Sequence, residues 1–93
     1  MNKYEILYII RSDIEDDKKA KVVEKYEQLV VKLGGSVEST DIWGTRKYAY
    51  QINKQDEGYY VVENFVCSVE AQNEIGRQMG LDENVVRTMI TRK

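Results

Sequence analysis

The chain has 93 residues, of which 42% are hydrophobic and 32% charged, and it contains no proline. A chain this short is expected to form one domain, spanning residues 1–93, around a single core, and its composition excludes intrinsic disorder. The formal net charge of -2 lacks the basic excess that is usual in a protein that binds nucleic acid alone.

The sequence gives no sign of a membrane or of an oxidising compartment. Cys67 is the only cysteine, so an internal disulfide is excluded, and the start, MNKYEIL, does not have the pattern of a signal segment. The longest apolar runs, such as LYII at 7–10, are far shorter than the roughly 20 residues of a membrane span. We therefore expect a cytoplasmic protein with no membrane partner.

The first strand and the first helix are predicted from two different periodicities. Residues 3–10 begin with polar and apolar residues in alternation, which predicts a strand with one face formed by Tyr4, Ile6, Tyr8 and Ile10. The segment RSDIEDD then predicts a helix start capped by Ser12 or Asp13. This helix is expected to end at Gly34-Gly35 and to bury a stripe formed by Val22, Val23, Tyr26, Leu29, Val30 and Leu33.

A long strand and a hairpin follow the helix. Residues 36–52 have an extended pattern, and Gly44 is interpreted as a bulge or kink within this strand. The polar segment 53–58 predicts a turn closed by Gly58, after which residues 59–68 return as an antiparallel strand. The odd-numbered residues of this strand form the core-like set. Glu63 is the exception, and we expect it at the rim of the core or paired with a cation.

The last part of the chain predicts a second helix and a fourth strand. Ser68 is the expected cap of a helix that ends at Gly80 and buries Ala71, Ile75 and Met79. Residues 84–93 then form a strand with Arg87 and Met89 on one face. The order βαββαβ with right-handed crossovers predicts an α+β, ferredoxin-like fold: a four-stranded antiparallel sheet with two helices on one face and the other face open.

Side chains suited to catalysis or metal binding are scarce. The chain has no histidine, and Cys67 has no neighbouring base, so we interpret it as a buried core residue. The acidic segment 13–17 lacks the glycine and the terminal Glu of an EF-hand loop, and no glycine-rich phosphate motif occurs. We therefore expect no enzyme, no metal site, no cofactor and no small-molecule substrate.

An open βαββαβ sheet also describes the RNA recognition motif, which stacks bases on aromatic side chains. Its third-strand signature matches residues 57–64 at three places only, and Val61 stands where a stacking aromatic residue is required. The likeness to that motif is therefore mainly one of topology.

A more specific motif lies in the middle of the chain. The segment WGTRKYAY at 43–50 is followed by EGYYV at 57–61 and NF at 64–65, with YE at 4–5 and VR at 86–87. In this combination, and over its whole length, the chain resembles the ribosomal protein S-six family of the bacterial small subunit. It departs from that family at Glu63, where an apolar residue is usual.

The resemblance implies a structural role without catalysis. Members bind the central domain of small-subunit ribosomal RNA as a heterodimer with ribosomal protein S-eighteen, and a basic partner would supply the charge that this chain lacks. The residues then expected to contact RNA phosphates are Lys3, Arg46, Lys47, Arg87 and Arg92. The aromatic residues expected to face RNA or the partner are Trp43, Tyr50 and Tyr60.

Two alternatives stay open from the sequence. Trp43 and Tyr50 would, in the simpler interpretation, only brace a protruding hairpin. In the second alternative the chain is a ferredoxin-like regulatory or dimerisation module that uses its open sheet face, where Leu7 and Ile9 would lie.

Overall fold

The computed structural model describes residues 1–52 and 55–93, except for the side chains of residues 48–52 and 55. The elements follow one another in the predicted order. They are β1 (Asn2–Arg11), α1 (Asp16–Lys32), β2 (Ser36–Ile52), β3 (Gln55–Cys67), α2 (Val69–Leu81) and β4 (Val85–Arg92).

The four strands form one antiparallel sheet in the order β2-β3-β1-β4. One buried cluster contains the even-numbered apolar residues of β1, the odd-numbered ones of β3 and the inner sides of both helices. Both helices therefore cover the same face of the sheet, and no helix of the described chain covers the other. The predicted ferredoxin-like α+β fold is confirmed.

Two aromatic pairs lie in the core. One connects β1 to α1, and the other connects β1 to β3. The rings of Tyr8 and Tyr26 meet edge to face at 5.8 Å, and those of Tyr4 and Phe65 are tilted at 5.9 Å. Such pairs contribute about 0.5–1.5 kcal/mol each beyond the burial of their area. Burial confirms the alternation predicted for β1. It also confirms the stripe predicted for α1, except that Leu33 is only partly buried and caps the end of the helix.

The predicted cap of α1 is wrong. The helix is capped by Glu15, whose side chain accepts no hydrogen bond from the described residues, and Asp16 and Asp17 lie in its first turn. Ser12 instead donates its hydroxyl to the carbonyl oxygen of Glu57 at 3.2 Å, and Asp13 forms two hydrogen bonds with Arg11 at 2.6 and 2.9 Å. Because these partners already hold Ser12 and Asp13, the helix begins later than the local sequence suggests.

The end of α1 at Gly34-Gly35 is confirmed, and the two glycines have different reasons to be there. Gly34 has φ +88°, the left-handed conformation that favours glycine. A Cβ at Gly35 would lie 2.4 Å from the carbonyl oxygen of Val66 and 2.8 Å from Cβ of Cys67. Gly35 therefore lets the chain pass close to β3 as β2 begins.

The β2–β3 hairpin confirms one glycine prediction and contradicts another. Gly44 has φ +81°, and the register shifts between Ile42 and Gly44, as expected for a bulge. Gly58, in contrast, lies inside β3, where it pairs with Arg11 on one side and Arg46 on the other. The hairpin therefore turns before Gln55, and residues 53–54 lie outside the described part of the chain.

The start of α2 is as predicted, but its end is not. Ser68 accepts a hydrogen bond from the backbone N–H of Ala71 at 3.1 Å. The helix continues past Gly80 to Leu81, and Asp82 follows it as the cap. The Asp82 carboxylate accepts hydrogen bonds from the Tyr26 hydroxyl at 2.6 Å and from the backbone N–H of Asn84 at 2.9 Å. These contacts, rather than the glycine, hold the residue that ends the helix.

The prediction for Glu63 is also wrong. Its side chain is fully buried, on the helix side of β3 between Ile6 and Thr40, and neither carboxyl oxygen has a hydrogen-bond partner among the described residues. Burial, together with the nearby charge of Glu27, raises the pKa of Glu63 to about 7. The core therefore contains a carboxyl group that keeps its proton to a much higher pH than an exposed carboxyl group does.

Candidate nucleic-acid and partner interface

The sheet face opposite the helices is the open face, and it carries alternate residues of each strand. Since Tyr8 and Ile6 point into the core, their neighbours along β1 point to the open face. Cross-strand pairing then places the following side chains on it: Glu5, Leu7 and Ile9 from β1, Tyr60, Val62 and Asn64 from β3, and Arg87, Met89 and Thr91 from β4.

Trp43 reaches the open face through the bulge at Gly44. Ile42 pairs with Val61 and Gly44 pairs with Tyr60, so Trp43 is the extra residue between two consecutive pairs. Its indole stacks on the ring of Tyr60, with centroids 6.3 Å apart and ring planes 5° apart. Trp43 stays 50% exposed in this position, so half of a large aromatic surface is available to a ligand.

Arg46 extends this stack. It pairs with Gly58, two residues before Tyr60 on β3, and therefore lies on the same face as Tyr60. Its guanidinium carbon is 6.0 Å from the centre of the Trp43 ring, and its Nε donates a hydrogen bond to the Trp43 carbonyl oxygen at 3.4 Å. The cation is thus held beside the indole and remains exposed, an arrangement that can bind a phosphate while the rings contact a base or an apolar side chain.

Lys47 lies on the other side of the hairpin. It pairs with Glu57, an odd-numbered residue of β3, so its side chain points away from the open face. The adjacent cations Arg46 and Lys47, which the sequence suggests as one basic site, are therefore separated by the sheet.

The other predicted phosphate contacts are also divided between the two faces. Lys3 and Arg87 lie on the open face, opposite Val66 and Ile9 respectively, and Lys3 Nζ is 3.9 Å from the Glu38 carboxylate. Arg92 lies on the helix side of β4 and donates a hydrogen bond to the side-chain oxygen of Asn2 at 2.8 Å. The side chain of Tyr50 lies outside the described part of the chain.

A shallow cavity of about 150 Å³ lies beside the Trp43 stack. Leu7 and Val62 line it together with Trp43 and Met89, and Met89 is 63% exposed. Glu5 and Thr91 complete its lining. The site prediction did not include Met89, although its position two residues after Arg87 on the same strand face is a sequence signal that could have identified it.

The described residues offer little for other kinds of chemistry. They contain no group of three or more His, Cys, Asp or Glu side chains that could hold a metal ion. Cys67 is buried, which raises the pKa of its thiol and disfavours the reactive thiolate. No helix in the described ranges is long and apolar enough to cross a membrane.

Comparison with known proteins gives consistent matches over nearly the whole chain. The sequence model of the family described as "Ribosomal protein S6" matches residues 3–92. Small ribosomal subunit protein bS6 of Alkaliphilus metalliredigens is 42% identical over 92 residues, which cover 99% of this chain and 97% of that protein. The bS6 protein of Exiguobacterium sp. is 41% identical with the same coverage.

A solved structure agrees with the sequence matches. The crystal structure of 30S ribosomal protein S6 from Thermotoga maritima superposes with a TM-score of 0.94 at 25% sequence identity. The superposition covers 99% of this chain and 87% of that one.

Proposed function

The chain belongs to the ribosomal protein S6 family, as the sequence predicts, and from this premise we propose that it binds the central domain of small-subunit ribosomal RNA together with ribosomal protein S-eighteen. As a member of this family it is a component of the small ribosomal subunit, located on the ribosome in the cytoplasm, and it is not an enzyme. Its association with ribosomal RNA follows from that location. The RNA domain, the partner and the contact residues are the content of the proposal.

The observation that carries this proposal is the alignment of Arg46, Trp43 and Tyr60 on the open face. A guanidinium group is well suited to bind RNA phosphates, and stacked rings with one exposed side suit an unpaired base or a partner side chain. The bulge at Gly44 brings these groups together on a protein whose net charge of -2 otherwise disfavours RNA binding.

We assign the shallow cavity beside the stack to the protein partner. Its centre is apolar, formed by Leu7, Val62 and Met89. Glu5 adds a carboxylate to the lining, and this carboxylate lies 3.5 Å from Lys93 Nζ. An apolar centre with polar residues at its rim is typical of a protein–protein interface. A basic partner bound here would also reduce the electrostatic cost of bringing this acidic chain to RNA.

The other residues predicted to contact phosphates lie at different places around the sheet and would bind different parts of the RNA. Lys3 and Arg87 share the open face with Arg46, whereas Lys47 lies on edge strand β2 and Arg92 on edge strand β4. We propose that RNA contacts the first three on one surface and reaches Lys47 and Arg92 at the two edges of the sheet. For Tyr50, the proposed contact with RNA or the partner rests on the sequence alone.

A gel-shift titration with central-domain RNA tests the proposal. The protein is expected to bind this RNA weakly alone and tightly when ribosomal protein S-eighteen is added, because the partner supplies positive charge. Equal affinity with and without the partner would contradict the heterodimer. Binding in neither case would contradict the RNA-binding role itself.

The rival function, a dimerisation module, is favoured by one specific observation. Trp43 and Met89 are both at least half exposed and line the same apolar cavity, which a second copy could cover. Native mass measured by size exclusion separates the two functions. A monomer that becomes a heterodimer on addition of S-eighteen supports the ribosomal role, whereas a stable homodimer that excludes S-eighteen supports the rival.

A further inference from the structure

The helix side of the protein carries a basic stripe that the sequence interpretation does not use. Lys18, Lys21, Lys25 and Lys32 follow one another along α1 at spacings of three, four and seven residues. These spacings place all four on one side of a helix, and all four are exposed. These four residues are the lysine stripe.

The stripe borders an open groove between α1 and α2. The groove has a volume of about 670 Å³ and a floor at Leu29, and its lining includes Lys21, Lys25 and Lys32. Towards the start of α1, a second depression of about 260 Å³ is lined by Lys18 together with Lys21 and Lys25. The lysine stripe thus follows a continuous series of concave surfaces.

Most of the positive charge of the stripe is not neutralised by the protein. Lys25 Nζ lies 3.2 Å from the carboxylate of Asp82. Lys18, Lys21 and Lys32 form no ion pair with any residue in the described ranges. Glu24 is the only carboxylate among the described residues that line the larger groove, and it accepts a hydrogen bond from Gln28 at 3.0 Å instead of pairing with a lysine. Three cations therefore face solvent together on a chain of net charge -2.

The chemistry of the groove fits a phosphate backbone better than an acidic peptide. Among the described residues that line the groove, Leu29 is the only apolar one and none is aromatic. The groove therefore offers a peptide no deep apolar anchor and offers a base no ring to stack on. The stripe extends about 21 Å along α1, since a helix rises 1.5 Å per residue. One strand of a DNA duplex carries a charge about every 3.4 Å along the duplex axis, and at spacings of this order a stripe of this length can contact several phosphates.

We propose that the lysine stripe is a second RNA-binding surface, which contacts phosphates without reading sequence. This rests on the proposed function, because it requires the protein to sit on ribosomal RNA. The stripe lies on the helix side and the Arg46–Trp43–Tyr60 stack on the open face, so the protein would lie between two segments of RNA. Its role would be to hold these segments together as well as to bind one of them.

The test compares charge-removing and charge-keeping variants in the complex with full-length small-subunit ribosomal RNA and S-eighteen. The variant Lys18→Gln/Lys21→Gln/Lys32→Gln is expected to bind at least tenfold more weakly at low salt. Its slope of log affinity against log salt should fall by about 2 to 3, since each duplex phosphate contact contributes about 0.9. The variant Lys18→Arg/Lys21→Arg/Lys32→Arg should retain the affinity and slope of the wild type.

Two controls separate local from general effects. Asn73→Asp lowers the net charge by one at an exposed position of α2 outside the groove lining, and it should leave the slope unchanged, unlike Lys21→Gln alone. Binding of the triple glutamine variant to S-eighteen without RNA should also be unchanged, and urea unfolding should show that the variant is folded.

The outcomes are distinguishable. A triple glutamine variant with the wild-type slope overturns the second surface and leaves the proposed function intact. If the triple glutamine variant binds S-eighteen more weakly in the absence of RNA, the stripe is a contact for that protein, and the proposed second RNA surface is overturned as well. A wild-type protein that binds no RNA even with S-eighteen overturns both proposals together.

Discussion

Trp43 and Tyr60 lie on neighbouring strands and stack with their ring planes 5° apart. This parallel arrangement depends on the bulge, because a regular β2 would alternate its side chains and could not present both Trp43 and Arg46 beside Tyr60. The stack is therefore built by one glycine in a left-handed conformation, and it links the local backbone of the hairpin to the proposed RNA contact.

Trp43→Ala is expected to weaken the complex with RNA and S-eighteen by about 1–3 kcal/mol, the range of an aromatic residue at the centre of an interface. The free energy of unfolding should fall by only about 1 kcal/mol, because the stack is half exposed and lies outside the core. Gel shifts and urea unfolding measure the two quantities. Trp43→Phe keeps a ring on Tyr60 and should lose less affinity. Full affinity in the alanine variant would mean that Trp43 only braces the hairpin.

Arg46→Ala and Lys47→Ala separate the two faces of the hairpin. Arg46→Ala should reduce the slope of log affinity against log salt by about 1, because it removes one phosphate contact from the open face. Lys47→Ala should reduce this slope only if RNA passes around the edge of β2 and contacts Lys47 on the helix side of the hairpin. Both variants should unfold within about 0.5 kcal/mol of the wild type, as exposed strand residues do. An unchanged slope for Arg46→Ala, with the partner present, would move the RNA contact away from this hairpin.

The buried Glu63 is expected to make the stability depend on pH. Its pKa is about 7 in the folded protein against an ordinary value of 4.5, so the unfolded chain releases this proton first as the pH rises. The contribution of Glu63 is therefore fully present below about pH 4.5 and is lost as the pH rises through about 7. Between about pH 5.5 and 8.5 the free energy of unfolding should fall by about 2 kcal/mol.

Urea unfolding of the Glu63→Met variant tests this assignment. The variant should be as stable as the wild type or more stable, with the difference largest near pH 8.5, and it should lose most of the pH dependence. The chain has no histidine, so few other groups titrate in this range. Glu27→Gln removes the neighbouring charge and should weaken the pH dependence without abolishing it. A loss of more than about 2 kcal/mol in Glu63→Met at pH 8.5 would reveal an important role for the carboxylate.

Gly34→Ala and Gly35→Ala form a matched pair at the end of α1. Gly34→Ala should cost about 1 kcal/mol, because an added Cβ meets no described atom within 4 Å and only the left-handed backbone disfavours it. Gly35→Ala should cost about 2–3 kcal/mol or more, because its Cβ would clash with the backbone of Val66. Thermal or urea unfolding measures both. Equal losses would show that β3 can move away from the new methyl group.

The regular elements could be predicted from the sequence because their periodicities reflect burial. The alternation of β1, the stripe of α1 and the bounds of β2 all match the structure. Helix starts were less predictable where a cap residue has a distant partner. Ser12 bonds to Glu57, 45 residues away, and no local pattern can reveal such a contact. Ser68 accepts its hydrogen bond from Ala71, three residues further along the chain, and the local pattern predicts it correctly as the cap.

The candidate site could be predicted only in part, because its geometry depends on strand register. The sequence predicts Trp43, Arg46 and Tyr60 as contact residues, and the structure places them side by side. The separation of Arg46 from Lys47 was not predictable, because it follows from their pairing with Gly58 and Glu57. Glu63 was placed on the core-facing side by its position, yet general electrostatics argued for an exposed or paired carboxylate. In the structure Glu63 does lie on the core-facing side, without a hydrogen-bond partner among the described residues, and its pKa is raised to about 7.

β1 lies between β3 and β4, so the first strand of this fold pairs with its fourth. Many native contacts therefore join residues far apart along the chain, and closing such long loops slows folding. The sheet cannot be completed while β4 is still missing from the growing chain, and until then one edge of β1 is exposed to other polypeptides. We therefore expect the nascent protein to be prone to aggregate until β4 has been synthesised and has paired with β1.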